Sequence, residues 1–195
     1  MEASQQPAAG RPPLQQRVAA AILEAAASVL AAHGERGSMT EVAEAAGVAR
    51  ATVYRYFPNR QSLLEELAEL AVRSAGERLA SARIEHVPVD EALARAVRAL
   101  VDVGDLFTVL AREQLRAPPA ELERHVRGPL RRLMERGQES GEIRSDIPST
   151  WLADSMVGTI VSILSSSPTL GREDTVAAIA GLFANGARAE DRSAA

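Results

Sequence analysis

Residues 40–60 read TEVAEAAGVARATVYRYFPNR. Three of the chain's five tyrosine and phenylalanine rings fall within positions 54–57, among arginines at 50, 55 and 60. Just upstream, Ser38-Met39-Thr40-Glu41 has the S-x-x-E pattern of a capping box, in which serine and glutamate each satisfy a free backbone N–H. This predicts a helix from there to about Ala46. Gly47 then supplies a turn that a residue with a Cβ makes only at a cost. A second, short helix is predicted from Ala49 or Arg50 to Phe57, because Pro58 disfavours helical geometry in the residue before it. Two short helices joined by a glycine turn describe a helix-turn-helix, whose second helix enters the major groove of DNA.

That geometry accounts for the crowded rings. Val53 and Phe57, with Val42, Ala43 and Val48, are expected to form the small core that ties the helices together. Tyr54 and Tyr56 cannot share the face of Val53, so they are expected to point outward with Arg50, Ala51 and Arg55. A tyrosine hydroxyl can donate to a phosphate while its ring packs on sugar or on a thymine methyl. Arginine can bond guanine through two hydrogen bonds or neutralise phosphate.

The stretch also resembles the DNA-binding signature of the tetracycline-repressor (TetR) family of bacterial regulators. The matching positions are Thr40, Ala43 with Glu44, Ala46, Gly47, Val48, Thr52, Tyr54, Phe57, Asn59, Arg60 and Leu63, within about residues 14–65. Carried over by position, the resemblance implies that Thr40 and Thr52 contact phosphate. It implies that Arg50, Ala51, Tyr54 and Arg55 face base edges, that Tyr56 meets the backbone, and that Arg60 holds phosphate at a helix start. Ala49 departs from the family's usual serine, losing a helix cap and a phosphate donor, at about 1 kcal/mol. Arg60 replaces the commoner lysine, and Gln61 stands where an acid is usual.

Outside this stretch the chain reads as helical. Alanine and leucine dominate, aromatics are only 3%, and strands favour β-branched and aromatic residues. The expected class is therefore all-α: a three-helix DNA-binding domain over 14–62, then a larger helical effector-binding and dimerisation domain over 63–188. Residues 1–13 are expected to be a disordered arm and 189–195 a flexible tail. Asn59 is the expected cap of a long helix reaching about Arg83. Asp90 is expected to cap a helix after Pro88, a further segment runs to about Arg116, and Pro118-Pro119 open a helix ending near Glu139. The stretch 141–148, GEIRSDIP, reads as a loop, with Ser149 as the cap of the next helix. Two final helices over 150–166 and 171–188 are divided by SSSPTLG.

Net charge is −4, yet its distribution is uneven. Residues 1–60 hold six Arg against five Glu, and 45–64 hold three Arg and no acid, an asymmetry that points to a nucleic-acid-facing end. With no cysteine, disulfides and thiolate metal sites are excluded, in keeping with a reducing compartment. The apolar stretches are too short for the ~20 residues a bilayer needs. The run over 17–32 mimics a signal peptide, but Glu24 interrupts it and its pattern is amphipathic. The expected location is cytoplasmic, with no membrane partner.

The resemblance further implies a homodimer paired through the last two helices and a palindromic double-stranded DNA operator. Ala153, Val157, Ile160, Val161 and Leu164, with Val176, Ile179, Ala180 and Phe183, are the candidate dimer-interface positions. The middle helices would hold a pocket for a small-molecule effector that the sequence does not identify. Phe107, His125, Met134, Trp151 and Met156 are candidate lining residues by type, with ordinary core packing as the alternative. His33, His86 and His125 are isolated, so neither metal nor cofactor is expected. No nucleophile–base pair or phosphate-cradling glycine loop argues for an enzyme. The competing reading is a helical scaffold whose helix-turn-helix merely packs; salt-sensitive DNA binding separates the two.

Overall fold

The computed structural model describes residues 13–166 and 170–188. The expected arm, apart from Pro13, and the expected tail lie outside the described residues. The chain forms two compact units, Met1–Leu63 and Leu64–Ala195.

In the first unit, α1 (Pro13–His33) packs on α2 (Met39–Ala45), and α2 on α3 (Arg50–Tyr56). The helix α1 buries Ala19, Ile22, Leu23, Ala26, Val29 and Leu30, a stripe at helical spacing. Gly34, at φ +57°, ends it. The expected capping box is formed: the Glu41 N–H donates to the Ser38 hydroxyl at 3.2 Å, and the Ser38 N–H donates to Glu41 Oε2 at 2.8 Å. At the other end of α2 the Gly47 N–H reaches the Glu44 carbonyl and the Val48 N–H reaches that of Ala43. This is a Schellman motif, and it requires the left-handed φ of +65° that Gly47 adopts. Phe57 leaves the helix in extended geometry before Pro58. The Asn59 side chain accepts from the Ser62 N–H at 2.8 Å, the expected cap of α4 (Arg60–Ser81).

The second unit contains α5 (Val89–Val101), α6 (Gly104–Arg112), α7 (Pro119–Leu122), α8 (Gly128–Glu139), α9 (Ser149–Ser165) and α10 (Arg172–Ala187). Its centre is α5, which packs on α8, α9 and α10 and buries eight of its 13 residues. Gly104 lets α6 approach α9 closely; a Cβ there would stand 2.2 Å from Leu164 Cδ1. The Arg98 guanidinium joins α5 to Glu173 of α10 by two bonds of 2.5 and 2.7 Å. The Gln138 amide donates to the carbonyls of Arg144 and Ile147, pinning the loop over 141–148. Among the described residues the only β-pairing is an isolated bridge between Ile143 and Arg188.

Four boundaries differ from expectation. Asp90 and Ser149 do not cap; Pro88 and Pro148 take the cap position with extended backbone, so each helix begins one residue after the proline. Asp90 instead lies in the first turn, where its charge complements the helix dipole. The α6 segment stops at Arg112 because Gln114 turns left-handed at φ +53°. The helix from Pro119 to Glu139 widens into a π turn over Glu123–Arg127. Pro129 explains it: a proline has no N–H and clashes with the carbonyl four residues back, which a wider turn relieves.

Candidate nucleic-acid interface

The two faces of α3 separate sharply. Val53 and Phe57 are wholly buried, at 0% exposure, while Arg50, Ala51, Tyr54 and Arg55 are exposed. Val42 and Ala43 are buried and Val48 half-buried, so all five expected core positions face inward to that degree. Tyr54 is 37% exposed. The Arg50 guanidinium lies 5.3 Å from the centroid of its ring and donates to its hydroxyl over a long 3.3 Å. The Arg55 guanidinium lies 5.3 Å from the Tyr56 ring in the same way. Each guanidinium therefore lies against an aromatic ring at the outer surface, where it keeps its charge.

Tyr56 departs from the purely outward placement expected of it. It is half-buried and borders a groove with Leu14, Gln15 and Val18 of α1. Thr40, in the first turn of α2, is exposed, and Thr52 on α3 is half-buried. Arg60 is half-buried, and its guanidinium donates to the Gly37 carbonyl, tying the start of α4 to the loop before α2. A guanidinium carries five donors, so that bond alone does not exhaust it. Ala49 gives α3 no side-chain cap, as its residue type predicts. The Glu41 carboxyl is held below the usual carboxylate range, first by the Ser38 N–H and then by the Ser38 hydroxyl.

The expected effector residues do not converge. Met134 and Met156 are fully buried core residues of the second unit, because unbranched apolar side chains fill interior gaps. Trp151 is 68% exposed at the start of α9. His125 packs against Gly76, its Nε2 3.1 Å from Glu121, beside a polar cleft. Phe107 lies elsewhere, in an apolar cleft of about 440 Å³ that also involves Leu110, Leu115, Leu122, Val157 and Val161. Sequence reading missed the three leucines, which resemble any others on an amphipathic helix.

The expected dimer positions differ in their exposure within the single chain. Ala153, Ile160, Val176 and Ile179 are buried within the chain itself. Leu164 fills the space beside Gly104, Val157 and Val161 line the apolar cleft, and Ala180 and Phe183 pack on the core. Most of the larger apolar side chains of both helices are drawn to their own interior, Trp151 and Leu182 excepted. Among the residues that α9 and α10 expose beyond their first turns are several small ones, Ser155, Gly158 and Ser162, with Ala177, Ala178 and Gly181, and beside them Leu182. Apart from the adjoining backbone of its own helix, nothing lies within 4 Å of a Cβ built at Gly158 or Gly181, and Leu182 is 65% exposed.

Among the described residues no group of three or more His, Cys, Asp or Glu is gathered as metal ligands would be, and no helix is long and apolar enough to cross a membrane.

Residues 22–67 match the model of the bacterial regulatory proteins, tetR family. The chain is 40% identical over 91 residues to the HTH-type transcriptional repressor LfrR of Mycolicibacterium smegmatis. That match covers 47% of this chain and 48% of LfrR, about half the length of each. The crystal structure of LfrR from Mycobacterium smegmatis in complex with proflavine superimposes with a TM-score of 0.73 and 27% identity, over 87% of this chain and 96% of that one. The TetR family regulator PfmR from Thermus thermophilus shares the fold, at a TM-score of 0.65 and 20% identity, over 84% of this chain and 97% of that one. These relatives are transcriptional regulators and not enzymes. Residues 22–67 are thus similar to the helix-turn-helix segment of the tetR family of bacterial regulatory proteins, and the helical fold of the described residues is similar to that of the regulators LfrR and PfmR.

Proposed function

We propose that the protein is a homodimeric transcriptional repressor that acts in the cytoplasm, binds a palindromic DNA operator and is released from it by a small molecule. The observation carrying this reading is the division of α3. Its apolar residues are wholly buried, while two arginines and a tyrosine stand on the exposed side with no acid between residues 45 and 64. A face that packed within the protein would bury these side chains, whereas Arg50, Tyr54 and Arg55 are exposed. The likeness to a named repressor favours repression over activation.

One short helix meets too few base pairs for specificity. Two copies related by a two-fold axis bind two half-sites with centres about one helical turn, ~34 Å, apart. In this reading Arg50, Tyr54 and Arg55 meet base edges around Ala51, and Thr40, Thr52, Tyr56 and Arg60 hold phosphates on either side. The small, exposed residues of α9 and α10 suit pairing between copies, since glycine, alanine and serine let helices approach closely.

The apolar cleft beside α6 is the effector site in this reading. Its residues Phe107 and Leu115 pack against Ala68 and Ala71 of α4, as does Leu110. The helix α4 continues without a break from Arg60. A ligand that spreads the cleft would displace α4 along its length, and with it the phosphate contact at Arg60. The difference in affinity for the two positions of α4 is what a ligand has to supply.

The test is a titration of purified protein onto duplexes covering the DNA that flanks its own gene, at several salt concentrations, followed by footprinting. A two-fold-symmetric footprint whose affinity falls steeply with salt is expected. No salt-sensitive binding even at low ionic strength would sink the reading and favour a scaffold role.

A further inference from the structure

We infer that the apolar cleft between α6, α7 and α9 accepts an amphiphile bearing a single negative charge, a hydrophobic carboxylate, and discriminates against cations of the same shape. The inference rests on the cleft being the effector site. Its lining is apolar except for two arginines, Arg116 and Arg127, and it contains no carboxylate. The two charges are not equivalent. Arg127 Nε lies 2.8 Å from Asp154 on α9, so its charge is already matched. The Arg116 side chain makes no hydrogen bond or ion pair among the described residues, and it is exposed at the rim.

The backbone explains why Arg116 stands there. At the end of α6 the Leu115 N–H reaches back to the Leu110 carbonyl at 2.9 Å and the Gln114 N–H to that of Ala111. This is again the Schellman arrangement, but its left-handed residue is Gln114 and not glycine. Non-glycine residues adopt that geometry only where the surrounding structure imposes it. The turn delivers Leu115 to the apolar wall and the next residue, Arg116, to its edge.

A cleft of about 440 Å³ is in the usual range for small-molecule sites, where apolar walls supply affinity and a few polar groups fix orientation. One uncompensated guanidinium at an apolar wall is matched by one anionic head on an apolar body. A neutral analogue forfeits the charge-assisted bonds, and a cation meets like charge with no carboxylate in the lining to offset it.

Three probes of equal shape test this on the full chain: 4-phenylbutyrate, 4-phenylbutanol and 4-phenylbutylammonium, titrated calorimetrically. The acid is expected to bind about tenfold or more tighter than the alcohol, and the ammonium most weakly. Arg116→Gln is expected to lower the acid to the level of the alcohol while leaving the alcohol unchanged. Ala111→Trp, at an exposed position in the lining, is expected to abolish binding of all three. Equal binding of acid and ammonium, an acid advantage that survives Arg116→Gln, or no binding by any probe would each overturn the inference. If Ala111→Trp removes binding but no charge preference exists, the cleft stands as the effector site and only the ligand class falls. If Ala111→Trp leaves every affinity unchanged, the effector-site reading fails and takes the inference with it.

Discussion

Tyr54→Phe isolates a single atom at the proposed DNA surface. The phenyl ring that remains can still lie beneath Arg50, whose guanidinium is 5.3 Å from the ring centroid. Within the protein the deleted hydroxyl accepts only a long, exposed bond of 3.3 Å from Arg50, so folding is expected to change by less than about 0.5 kcal/mol. On DNA the same hydroxyl would donate to a base edge, and leaving that desolvated acceptor unpaired costs about 1.5 kcal/mol. Two protomers on one operator double the loss to about 3 kcal/mol, which is roughly 150-fold in affinity. The slope of log affinity against log salt is expected to stay constant, because no charge has been removed. Fluorescence anisotropy with a labelled operator duplex, repeated at four salt concentrations beside a thermal melt, measures all three quantities. Phe57→Ala is the control from the opposite face. That side chain is wholly buried, so truncation is expected to cost about 3–5 kcal/mol of stability and to abolish binding through unfolding. Wild-type affinity for Tyr54→Phe, or a melt that drops as it does for a core variant, would refute the assignment of the exposed face.

Three further outcomes are expected. Arg55→Ala is expected to relax sequence preference within the operator and to leave the salt slope nearly unchanged; a fall in slope of about 0.9 per protomer, about 1.8 for a dimer, would move Arg55 from base edges to phosphate. Gly158→Leu combined with Gly181→Leu is expected to leave the chain folded and helical by circular dichroism, since nothing beyond the adjoining helix backbone lies within 4 Å of either new Cβ, while sedimentation shows the dimer lost; a surviving dimer would remove that face from the interface. The folded-state pKa of Glu41 is lowered, so its capping interaction stabilises α2 above the ordinary carboxylate pKa and is lost as pH falls through the lower, folded value. Ser38→Ala is expected to cost about 1 kcal/mol at neutral pH and progressively less in acid, read from melting temperature against pH.

The local chemistry of the first 63 residues was legible because each signal acts over a few positions. A serine three residues before a glutamate, a glycine able to turn left-handed and a proline that ends α3 impose their geometry without help from distant residues. The partition of Val53 and Phe57 from Arg50, Tyr54 and Arg55 then follows from the 100° turn per residue of any helix. Boundaries set by prolines differ from expectation by one residue at Pro148 and by two at Pro88, since each proline occupies the cap position itself.

The second unit could not be resolved by the same means. Its helices carry apolar residues on more than one face, so the order of residues does not state which face meets the chain's own core. Packing decides that: α9 and α10 turn Ile160, Val176 and Ile179 inward and leave Gly158, Gly181 and Leu182 outside. The apolar cleft likewise exists only because α6, α7 and α9 converge from well-separated parts of the sequence, Phe107 at one end and Val161 at the other. Periodicity encodes that a helix is amphipathic, whereas the partner of each stripe is selected by competition among all the helices for the same buried volume.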